Sequence, residues 1–182
     1  MTGDAERARV QTRDWLARFV IGLGLCPFAA EPYRQGRIAF VVCEATADDA
    51  VYRAFVETVE ALLAQPPEQQ ETALLILSRA LTDFDDYLQM LDALEHALNE
   101  AGLAGVLQLA SFHPDYRFEG VPEDDPANYS NRSPYPMFHL IRERGLAAAL
   151  DRYPQPETIP ARNVERLRAL GLSRIRALLG TR

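Results

Sequence analysis

Cysteine is scarce in this chain. Cys26 and Cys43 are the only two in 182 residues, which excludes a disulfide framework and fits a compartment where thiols stay reduced. Long apolar runs are missing too. The one near Phe19–Phe28 is too short to span a bilayer and follows Arg18 directly. The opening M-T-G-D-A-E-R-A-R lacks the layout of a signal peptide, so a cytoplasmic location is expected, with no membrane partner. Positive charge is in deficit, with 19 basic against 26 acidic residues and a net charge of −7. That balance argues against a general nucleic-acid binder, although Arg162–Arg182 is arginine-rich and nearly free of acids. No Gly-rich phosphate loop is present: G-L-G-L-C (Gly22–Cys26) follows a helix instead of joining a strand to one. There is no C-x-x-C, no H-x-x-x-H, no internal repeat and no low-complexity segment.

Apolar residues are plentiful, at 48%, and residues 1–182 fit one α/β domain. Residues 1–152 read as its core. Residues 153–182 read as a proline-rich connector, Tyr153–Pro160, followed by two short basic helices that pack outside or bind a partner. The stripe Trp15, Leu16, Phe19, Val20 and Leu23 predicts an opening helix over about Asp4–Gly22, stopped by glycine. The runs Ile38–Cys43, Ala73–Leu77 and Val106–Phe112 predict three strands. Between them lie two helices, one opened by a Thr46/Asp49 capping box and one by Thr82-Asp83, with Gly102 as a C-terminal cap. Such βαβαβ alternation predicts a parallel sheet of three or more strands with right-handed crossovers. Gln108 marks its strand as near an edge. Ligands in open α/β sheets bind beyond the C-terminal strand ends, here Glu44, Ser78-Arg79 and His113.

A long loop, residues 113–133, leaves from that edge. Loops of this length inside compact domains are functional or disordered, and Tyr116, Phe118 and Tyr129 argue for order. Ser133-Pro134 then reads as the start of a helix running to about Arg152, which sets His139, Arg142 and Glu143 on one face.

Three constellations follow. Asn131-Arg132-Ser133 at that helix start, with Arg142, Asn128 and Arg79, forms a candidate anion pocket for a small anionic substrate. The bland alternative is that Ser133 only caps and the arginines pair with Asp124, Asp125 or Glu143. Cys26, beside Pro27, can pair with His113 or His139 as an activated nucleophile; otherwise it is a packed thiol, as Cys43 is expected to be. Cys26, His113 and His139, with Asp115 or Glu143, can also be written as an open zinc site. His96 reads as a surface residue.

The pieces L-C-P-F-A (Leu25–Ala29), E-T-A-L-L-I (Glu71–Ile76), A-S-F-H-P-D-Y-R-F (Ala110–Phe118) and N-R-S-P-Y-P-M-F-H-L-I-R-E (Asn131–Glu143) resemble a bacterial family known as domain of unknown function 1415. The resemblance implies that Cys26, His113, Asn131, Arg132, Ser133, His139 and Arg142 belong to the family's motif set. It brings no activity. It shifts Cys26 toward a site residue. The leading expectation is therefore a cysteine-dependent hydrolase or transferase with no cofactor. His113 acts as acid or base, His139 shares the proton work, and the arginines hold an anion. A zinc-dependent hydrolase is the second reading. A non-enzymatic binding module, with the loop as a rigid recognition surface and the basic helices docking a partner, is the third. Homo-oligomerisation is left open.

Overall fold

The computed structural model describes residues 2–180, so Met1, Thr181 and Arg182 lie outside the described residues. Helix α1 (Thr2–Trp15) runs directly into a π-helical segment, Leu16–Ile21, and buries Ala8, Trp15, Leu16, Phe19 and Val20. The wide winding persists past its end, where Gly22 N–H donates to Ala17 O at 3.0 Å and Leu25 N–H to Val20 O at 2.8 Å. Gly24 then takes φ +62°, a left-handed backbone that glycine adopts at little cost, and the chain turns through Cys26 into α2 (Ala30–Arg34).

The expected alternation follows: β1 (Ile38–Cys43), α3 (Asp48–Ala64), β2 (Thr72–Leu77), α4 (Phe84–Glu100) and β3 (Leu107–Phe112). Asp83 caps α4, its Oδ1 accepting from the Asp85 and Asp86 amides at 2.9 and 3.1 Å. The Thr46/Asp49 box does not form, because Ala47 occupies the cap position of α3.

One expected element is replaced. Residues 133–152 do not form a helix. Met137–Arg142 is a strand, β4, followed by a short helix α5 (Glu143–Leu150). The two prolines account for this: Ser133 and Tyr135 each precede one, and a residue before proline is biased to extended backbone. Alternation does the rest, with Phe138 and Leu140 facing one way and Met137, His139 and Ile141 the other.

The sheet order is β1-β2-β4-β3. β1 and β2 are parallel, and β4 lies antiparallel between β2 and β3. The three expected strands do run the same way, but the sheet is mixed, not all-parallel. On one face, α3 and α4 pack Val51, Phe55, Leu62, Tyr87 and Leu94 on Leu75, Leu77, Phe138 and Leu140. On the other, α1, the π segment and the terminal helices α6 (Ile159–Leu170) and α7 (Leu172–Leu179) pack Trp15, Phe19, Leu167 and Ile175 on Leu74, Ile76 and Met137. The terminal helices are thus part of the core, not an external appendage. Tyr87 ties the strand ends together: its hydroxyl donates to Met137 O at 2.8 Å and accepts from the Phe112 amide at 3.1 Å.

Candidate functional site

The loop at the C-terminal edge is an ordered cap, and its polar residues are turned inward. His113 is fully buried against the rings of Phe84 and Tyr87. Its Nδ1 accepts from the Asp115 amide at 3.0 Å, which leaves the proton on Nε2 to be donated to Leu81 O at 3.0 Å. Both ring nitrogens are therefore occupied, and burial holds the imidazole below its ordinary pKa. Leu81 adopts φ +51°, a costly backbone for a leucine, and its carbonyl is the one His113 holds. Asn128 is also fully buried. Its Oδ1 accepts from the Phe118 amide, and its Nδ2 donates to Pro122 O and Glu123 O. Asn131 donates to Ser111 O, and Ser133 Oγ donates to Tyr135 O at 2.6 Å.

The arginines do not converge. Arg132 lies over the Tyr129 ring and donates to Tyr116 O and Glu123 O within the loop. Arg142 sits at the opposite end of the sheet, where it pairs in register with Leu107. There it donates to the carbonyls of Leu62, Gln65 and Gln70, closing the end of α3. Arg79 stays near the strand ends but pairs with Asp4 at 3.1 Å and Glu44 at 3.7 Å. Ser133 is not at a helix N-terminus. The anion pocket read from the sequence is therefore not assembled.

Nor does the thiol–imidazole trio meet. His113 lies on the α3/α4 side of the sheet, against cluster members Phe84 and Tyr87. Cys26 packs against the opposite cluster. His139 shares that second face, since it pairs with Leu74. Among the described residues no three His, Cys, Asp or Glu side chains come together as metal ligands. The zinc trio is thus divided between two faces.

Cys26 and His139 share the second face. β4 is an interior strand, so exposure on it is not an edge effect. Phe138 and Leu140 are fully buried on one side, yet His139 and Ile141 are only half-buried on the other. Their neighbours Ala110 and Phe112 on β3 are half-buried as well. The cover over this part of the sheet is incomplete, and Gln108, the β3 partner of Ile141, is exposed. Helix α5, which leaves the low end of β4, buries none of its residues fully. The chain beyond it reaches Phe28, two residues from Cys26, where Tyr153 meets its ring edge-on at 5.5 Å.

The tautomer of His139 follows from its partner. Thr72 Oγ1 donates its one proton to Leu140 O at 2.7 Å, so it can only accept from the imidazole. His139 therefore carries its proton on Nε2, and Nδ1 keeps an open lone pair, with no partner among the described residues. Burial in apolar surroundings pushes its pKa down to about 4, so the ring is neutral at neutral pH. Cys26 is set differently. Its sulfur faces the Phe28 and Ala29 amides, but burial outweighs them and pushes the thiol up. Thr72 was not singled out from the sequence. Its only signal is a hydroxyl residue opening an otherwise apolar strand.

The family model for "Protein of unknown function (DUF1415)" matches residues 7–177, and the chain belongs to this family. No curated protein and no solved structure matches it.

Proposed function

Starting from a member of a family of unknown function, we propose that this protein is an enzyme of acyl-transfer or hydrolytic type. Its general base is His139, and its nucleophile is the thiol of Cys26, which packs against the same face of the sheet. One observation carries the reading: the Leu140 carbonyl, Thr72 hydroxyl and His139 Nε2–H form a chain that leaves Nδ1 as a neutral, open base. A base whose proton position is fixed by a neighbour is the arrangement that general-base catalysis uses. The raised thiol of Cys26 stays protonated at rest and needs such a base.

In the proposed reaction the sulfur attacks an acyl carbon. Its proton passes to Nδ1 of His139, directly or through one water, and then to the leaving group. Water, deprotonated by the same nitrogen, hydrolyses the acyl-thioester and regenerates the thiol. The substrate class shifts with the geometry. Arg132 and Arg142 are engaged by backbone carbonyls, so a neutral acyl compound suits the reading better than a small anion. His113, Asn128 and Asn131 are read as loop-fixing residues.

Short-chain p-nitrophenyl esters test this. The native protein is expected to acylate at Cys26, seen by mass, and to release p-nitrophenol. Cys26→Ser abolishes the adduct, and His139→Gln slows the release about 100-fold. Release that is indifferent to His139→Gln removes the proposal.

A further inference from the structure

Three consecutive carbonyls precede Cys26, and each accepts a hydrogen bond from a different side chain of α6. Arg166 donates to Leu23 O, Arg162 to Gly24 O at 3.1 Å, and Asn163 to Leu25 O at 2.7 Å. These carbonyls lie in the turn that follows the π-helical segment, outside any helix or strand that could pair them. Arg162 also donates to the Tyr153 hydroxyl at 2.6 Å, and Tyr153 stacks edge-on against Phe28 on the far side of Cys26. The thiol turn is therefore gripped on both flanks by residues more than a hundred positions away. Asn163 is the buried member of the grip, 9% exposed, and its Oδ1 has no partner. A buried amide with an unpaired oxygen is a poor stabilising device, and what the Asn163 side chain does make is the Nδ2 bond to Leu25 O.

We infer that Asn163 is a positioning residue for Cys26, with Arg162 and Arg166 completing a clamp that sets the exposure of the thiol. This rests on the reading of Cys26 as the reactive group. The clamp keeps the sulfur shielded and protonated until a base acts on it. Releasing it admits water to the turn and brings the thiol toward ordinary behaviour.

The test is alkylation of the native full chain by iodoacetamide across pH 6–10, with Cys26 and Cys43 resolved by peptide mass. The expected native result is slow labelling of Cys26 at pH 7, with a midpoint above that of an ordinary thiol. In Asn163→Ala the midpoint falls and labelling at pH 7 rises about tenfold. Arg166→Gln, altered on the exposed side of α6, gives a smaller rise of about threefold with an unchanged melting temperature. A folded Asn163→Ala with the native midpoint overturns the inference, since a purely structural role would move only the melting temperature. If Asn163→Ala does not fold, native labelling in Arg166→Gln overturns it equally. The readout is the thiol, not turnover, so an inert clamp and an inert His139 give separate signatures.

Discussion

The two faces of the sheet differ in how they treat polar groups. On the α3/α4 face, cover is complete over β4, and the one histidine nearby, His113, has both nitrogens bonded and no solvent contact. On the other face, cover is incomplete, and His139 has one nitrogen bonded and one open. The first imidazole is built in as structure. The second is held by one ring nitrogen and left with a free lone pair on the other, which is why the proposed base is His139 and not His113.

Truncation should separate the faces most sharply. Phe138→Ala on the closed face is expected to lower stability by about 3–5 kcal/mol, and Ile141→Ala on the open face by about 1 kcal/mol, in urea unfolding. Equal losses would break the distinction. The histidines give the next largest contrast. His113→Leu leaves Leu81 O and the Asp115 amide unpaired in a dry setting, a loss of about 2–4 kcal/mol. His139→Leu leaves Thr72 still bonded to Leu140 O and should stay within about 1 kcal/mol.

Acid sharpens the same comparison. Both imidazoles have folded pKa values below the unfolded value, so the unfolded chain binds more protons as pH falls from about 6.5. Stability is complete above that pH, declines through the window down to about 4, and then levels off for His139. Its share is about 3 kcal/mol. His139→Gln should remove that share of the slope and leave the part due to His113; an unaltered slope would contradict the assignment. A further contrast is at Thr72. Thr72→Val deprives Leu140 O and His139 Nε2 of their partner for about 1–2 kcal/mol, read by thermal unfolding, and frees the imidazole to change tautomer.

These contrasts also explain what could be read from the sequence. β1, β2, β3, α3 and α4 were legible because each is a buried run or stripe of unmistakable period. β4 was not. Six residues carry only three alternations, and Ser133-Pro134 followed by His139, Arg142 and Glu143 imitates a helix start and face. Its partners on β2 and β3 decide the matter, and those lie outside the segment. The residues of the loop were legible as special, but their roles were not. Asn128, Arg132 and His113 bond mainly to backbone groups, which have no signature in sequence. The same blindness hides the α6 clamp and the partnership of Thr72 with His139.

The central claim is that His139 is a neutral base with its proton held on Nε2 and Nδ1 open. Nitrogen-15 NMR of the imidazole measures this directly. The expected spectrum has a protonated Nε2 and an unprotonated Nδ1 at neutral pH, with titration only near pH 4. An Nδ1–H tautomer, or a midpoint at the ordinary histidine value, would contradict it.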